Sequence, residues 1–152
     1  MGQQQLLLLV LGMVIVGIAV VAGIQAFSEG QQKATRDAAI SDAMRVISDA
    51  QAWKLKPAAF GGGANDTAAD FDGISFQALG LDPADDAGTN NTNYETQNGC
   101  FTLAGSNANA TIVINEPDCS TEIATVTLTG TDVDNISWAY ATGGSGGSGG
   151  AS

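Results

Sequence analysis

The sequence predicts an α+β protein in which a long N-terminal hydrophobic and amphipathic α-helix packs against a small antiparallel β-sheet head. Three observations carry this. An apolar run, Leu6–Ile24, continues into a proline-free helical pattern that ends only at Pro57. Four short β-branched or aromatic runs follow, each bounded by Gly, Asn, Asp or Pro. The sheet these runs form needs a cover for its apolar face, and one amphipathic stripe in the chain supplies it.

Leu6–Ile24 is nineteen residues without a polar side chain, close to the roughly 20 that cross a bilayer core. A buried core helix is normally shorter and shows a polar face, whereas this run is apolar all round. A secretory signal peptide is the competing reading, with Ala22, Gly23 and Ala26 as a cleavage-like group. Against it, no Lys or Arg precedes Leu6 and the helical pattern runs straight on.

From Gln31 to Lys56 the chain is rich in Ala, Gln, Asp, Arg and Met. Ile40, Met44 and Ile47 fall at i, i+4, i+7, and Ala39, Ala43, Val46, Ala50 and Trp53 form a second stripe beside them. Asp42 with Arg45 and Lys33 with Asp37 are expected to pair along the helix surface. Ser28-Glu29-Gly30 is the one weak point, where a local bend is expected. A single helix over residues 3–56 would be about 80 Å long at 1.5 Å per residue. The expected organisation is a short start at 1–2, an apolar helix of membrane-spanning length at 3–27 and an amphipathic helix at 28–56. An acidic β-rich head follows at 57–142 and a Gly/Ser-rich tail at 143–152, which resembles an engineered linker as much as a natural tail.

In the head, residues 58–72 and 82–98 read as loops by composition, with Ile74, Phe76 and Leu79 as core positions between them. Strands are predicted over Cys100–Ala104, Thr111–Asn115, Glu122–Thr129 and Ile136–Thr142, and their short connections favour a meander. Alternation places Phe101, Leu103, Ile112, Ile114, Ala124, Val126, Leu128, Ile136, Trp138 and Tyr140 on one face. Cys100 and Cys119 are expected to pair as a structural disulfide, as an exported domain with two cysteines most often does. A redox-active pair is the sharper alternative, but there is no Cys-x-x-Cys spacing.

Charge and composition exclude several functions. Five Lys+Arg stand against sixteen Asp+Glu, a formal charge of −11. All five bases precede Pro57, and the twelve acids from Pro57 onward have no base among them. Such a surface repels phosphate backbones, so the head is expected to bind no nucleic acid. The absence of His removes the commonest general base and metal ligand, and no enzyme activity or cofactor is expected. Asp82, Asp85 and Asp86, with Asn90 and Asn91, are weak candidates for a calcium loop; their spacing departs from the EF-hand pattern, and a solvated acidic loop explains them equally. Asn65, Asn90, Asn109 and Asn135 each begin an Asn-x-Ser/Thr sequon and are possible glycosylation positions. An acidic surface also suits solubility or a high-salt habitat.

The N-terminal third resembles the type IV pilin superfamily. The residues that carry the likeness are Gly2-Gln3-Gln4-Gln5 ahead of Leu6–Ile24, Thr35-Arg36-Asp37-Ala38 and Phe60-Gly61-Gly62-Gly63. The resemblance implies cleavage by a prepilin peptidase between Gly2 and Gln3. It further implies storage in the inner membrane, and assembly by pilus machinery into a homopolymeric extracellular filament. The filament core would be built from Leu6, Leu7, Leu9, Val10, Gly12, Gly17, Gly23 and Ile24, and adhesion, twitching and DNA uptake all fit. Two departures stand out. Bacterial type IV pilins carry a glutamate early in the apolar helix, and its slot here is Leu7, which leaves the glutamines to set register. Those pilins also often carry a proline within the apolar stretch, where this chain has glycines. Lys33 and Arg36 after the span, taken alone, predict an intracellular head; a basic leader upstream of Gly2 resolves the conflict, and Met-Gly is too short to be one. A pseudopilin or minor tip subunit of a secretion or DNA-uptake machine, and a membrane-anchored binding module, are the alternative functions.

Overall fold

The computed structural model describes residues 2–63, 70–84 and 92–141. Helix α1 spans Gly2–Leu55 and passes through Ser28-Glu29-Gly30 without interruption. Gln25 and Ala26 before it and Gln31, Gln32 and Ala34 after it keep the backbone in a helix there, and the expected weak point does not break it. Pro57 stops the helix by disfavouring helical geometry in the residue before it. The Lys56 amide closes the last turn onto the Ala52 and Trp53 carbonyls at 3.2 and 3.1 Å. A 3₁₀ turn at Ala58–Phe60 then leads to Gly61 at φ 78°, a left-handed position that suits glycine.

The chain divides into two compact units, Met1–Ala34 and Thr35–Ser152. The first is helical throughout its described residues. The second holds a five-stranded sheet of β1 (Asn93–Glu95), β2 (Cys100–Ser106), β3 (Asn109–Asn115), β4 (Glu122–Leu128) and β5 (Ile136–Tyr140). Strand order is β1-β2-β3-β4-β5, every pair antiparallel, which is the predicted meander with one strand added.

The added strand is β1, inside a stretch whose composition reads as a loop. Asn and Glu are poor strand formers, and Tyr94 alone carries a β signal. What makes it a strand is tertiary. Tyr94 sits opposite Phe101 in the ladder, with its ring 5.4 Å from that of Phe76 and 6.0 Å from that of Phe101. The four predicted strands are present with ends shifted by one to two residues. Between β2 and β3, Asn107 takes φ 45°, a conformation asparagine tolerates better than most residues.

Register aligns the apolar positions in rows. Leu103, Ile112, Val126 and Trp138 stand side by side across four strands, as do Phe101, Ile114, Ala124 and Tyr140. The helical cover is the alanine stripe: Ala39, Ala43, Val46, Ile47, Ala50 and Trp53 are buried in one core with Phe101, Leu103, Ile112, Ile114, Val126 and Leu128. Alanines at 39, 43 and 50 let backbone approach sheet closely, which places Met44 outside the core at 52% exposure. The Ile40, Met44, Ile47 stripe thus contributes Ile47 in full and Ile40 in part. Ile74 and Phe76 are buried as expected and Leu79 packs against them, while Phe71, in a stretch read as loop, is fully buried too.

Candidate assembly surface

Fourteen large apolar side chains between Leu6 and Ile24 are each 51–73% exposed, with Leu7 at the higher end. Burying such a side chain is worth about 1.5–3 kcal/mol, so leaving the set in water costs on the order of 20 kcal/mol. That exceeds the whole stability of an ordinary domain, about 5–15 kcal/mol. The surface therefore requires lipid or protein around it. Leu6, Leu7 and Val10 border one shallow apolar furrow together with Gln3, and Gly17 borders a second with Val14, Ile18 and Val21. A side-chain carbon added at Gly12, Gly17 or Gly23 meets nothing within 4 Å among the described residues, which leaves room there for close approach by another helix. Leu9 and Ile24 lie exposed on the same helix, and Gly2 and Gln3 fall in its first turn.

The span Gly2–Leu55 contains a window long and apolar enough to cross a membrane, and none of that window is buried. No charged side chain lies between Gln3 and Ala26. The Leu7 position, where the resemblance would place a glutamate, presents only a hydrocarbon surface.

The second unit holds its helical segment by polar clasps at one end of the sheet. Arg36 donates from Nε and Nη2 to Glu116 Oε1 at 3.0 and 2.7 Å. Asp42 Oδ2 accepts from Asn98 Nδ2 at 2.9 Å and from Thr96 Oγ1 at 3.3 Å. Asp42 therefore faces the β1–β2 turn instead of Arg45. Among the described residues neither expected helix-surface pair forms, and Arg36–Glu116 is the ion pair present. For Asp42 the physical reason is that part-buried partners across the fold outcompete an exposed neighbour one turn away. The clasp residues lie 54 to 80 positions apart, and no local signal reveals them.

Cys100 and Cys119 form the expected disulfide, with Cα atoms 5.3 Å apart. It joins the first residue of β2 to the β3–β4 connection, the segment that also carries Glu116. Cys119 sits at φ 58°. Beside it, the Asp118 carboxyl is held below its usual range by the hydroxyl and backbone N–H of Ser120, which donate to it at 2.6 and 3.1 Å. Glu95 reaches to 3.7 Å from the Cys119 sulfur. Both sulfurs are committed to the bridge and offer no thiolate, so the Glu95, Cys100, Cys119 group makes a poor metal cradle.

Of the remaining sequence candidates, Asp82 is exposed, while Asp85, Asp86, Asn65, Asn90 and Asn91 lie outside the described residues. Asn109 is exposed at the first position of β3. Asn135 is half-buried, with its amide against the Gly130 backbone and its carbonyl accepting from the Thr129 N–H at 2.9 Å.

Comparison with family models, with curated proteins and with solved structures finds no match to this chain. The architecture itself is pilin-like: a long apolar N-terminal helix, an antiparallel sheet packed on its C-terminal portion, and a disulfide between the start of β2 and the β3–β4 connection.

Proposed function

We propose that this chain is a structural subunit of an extracellular type IV pilus-like filament, held in the inner membrane before assembly. The observation that carries this is the exposed apolar surface of Leu6–Ile24 on a helix whose later residues are built into the core of a disulfide-bonded sheet. Packing many copies of such a helix side by side removes the apolar surface from water, as lipid does for the single copy. The glycines at 12, 17 and 23 and the glutamines at 3–5 would set close approach and register without the cost of burying a charge. The partners in this reading are further copies of the chain, a prepilin peptidase acting between Gly2 and Gln3, and the assembly machinery. The role is structural and non-catalytic, in keeping with a chain that has no His and whose twelve acids from Pro57 onward have no base among them.

Electron microscopy of shed material tests the reading. Filaments that react with antibody against the sheet unit and vanish on deletion of this protein are expected. Cells that keep their filaments after deletion, or that carry the protein only as a membrane-bound monomer, refute it.

A further inference from the structure

We infer that a second contact surface on the sheet unit joins copies of this chain, the Asp132-Val133-Asp134 tip of one copy seating on the outer face of residues 44–56 of the next, the end of α1 and the residue after it. The inference rests on the filament reading above and names the partner surfaces that the apolar span does not supply.

Val133 is 83% exposed, the most exposed large apolar side chain among the described residues. It is the first residue of a 3₁₀ turn, Val133–Asn135, between β4 and β5, with an exposed acid on either side. The turn is stiff. The Asn135 N–H donates to the Asp132 carbonyl at 3.1 Å, the Asn135 carbonyl accepts from Thr129 at 2.9 Å, and the Asn135 amide lies on Gly130. Asp132 makes no side-chain capping bond in that turn. A rigid apolar knob flanked by two uncommitted carboxylates has no role within its own fold.

The opposite half is on the helix. Met44, Ser48 and Leu55 follow one another along its outer face, and Arg45, Ala52 and Lys56 run beside them. All six are exposed, Met44 at 52% and Leu55 at 65%. Ser48 and Ala52 make a low floor between apolar ends and a basic flank. Arg45 and Lys56 make no ion pair among the described residues, and half-buried Asp49 beside them leaves the strip net positive. The two bases are about 16 Å apart along the axis at 1.5 Å per residue, and their long side chains can fold inward over a knob placed between them.

Complementarity selects a second copy as the occupant. The strip offers apolar contact beside positive charge, and the tip offers apolar contact between negative charges. Tip and strip are different surfaces of one unit, so the contact is heterologous and propagates to an open array unless the rotation closes. Opposite charges at its rim favour the correct register and disfavour contact between like surfaces.

The test uses the full chain in the cell that assembles it, with Ala52→Cys and Val133→Cys introduced together. Oxidation of shed filaments is expected to give a ladder of covalent multimers. Arg45→Glu with Lys56→Glu should reduce the ladder by about fivefold, the ratio of roughly 1 kcal/mol at the rim, and adding Asp132→Lys with Asp134→Lys should restore it. Normal filaments that give no ladder, or a ladder indifferent to all four charge changes, overturn this inference while leaving the filament function standing. Absence of filaments from the unmodified chain overturns the functional reading itself.

Discussion

Arg36 places two donors, Nε and Nη2, on a single oxygen of Glu116, joining the helix to the connection that follows β3 across 80 residues of sequence. Both side chains are about one-third or less exposed, at 32% and 27%. Partial solvation limits the pair to about 0.5–1 kcal/mol. Glu116→Gln in the detergent-solubilised chain is expected to lower stability by that amount. The loss should shrink as salt is added, and thermal unfolding at two ionic strengths reads both effects.

Gly105 lies in β2 directly under the segment that carries Phe71 and Ile74. A side-chain carbon there would collide with the Phe71 carbonyl and the Ile74 methyl, both inside the packed unit. Gly105→Ala should therefore cost about 1–3 kcal/mol or more, the usual penalty of overfilling a core. Phe71→Ala removes a fully buried ring that also carries the Lys54 ammonium 4.3 Å from its centroid, and about 3–5 kcal/mol is expected. Denaturant unfolding followed by Trp53 fluorescence measures both.

Reduction of Cys100–Cys119 opens a loop of sequence separation 19, for which loop-closure entropy gives about 3 kcal/mol. The loss should be local before it is global. Backbone amides at 96–99 and 116–121, the segments that grip Asp42 and Arg36, are expected to gain hydrogen exchange first. The central ladder at Ile112 and Val126 should stay protected. Uniform loss of protection across the sheet contradicts this.

Asp118 titrates below the usual aspartate range because Ser120 donates to its ionised form. The sign follows from that direction. Stabilisation of the turn is complete above the ordinary aspartate value and is lost as pH falls through the lowered one. Carboxyl chemical shifts should place the Asp118 midpoint below the ordinary aspartate value, and Ser120→Ala should move that midpoint upward.

Local pattern determined a good part of this protein. Unbroken hydrocarbon from Leu6 to Ile24, the proline at 57 and the alternation in β2 to β5 each act over a few residues. Helix span, strand positions and the core face were therefore legible. So was the cysteine pairing, since the chain has two cysteines. The meander also follows from short connections.

Only the folded chain decided the rest, because the forces involved act between residues distant in sequence. Tyr94 makes a strand of a polar stretch by meeting Phe76 and Phe101. Close packing on alanines turns Met44 out to solvent while Ile47, from the same stripe, stays buried. Asp42 leaves Arg45 for Asn98, and Arg36 finds Glu116, because a part-buried partner strengthens a polar contact that water would weaken between exposed neighbours. The uneven division of charge at Pro57 was written in the sequence. That Arg36 and Lys54 are held by the sheet unit while Arg45 and Lys56 make no ion pair among the described residues was decided by tertiary packing.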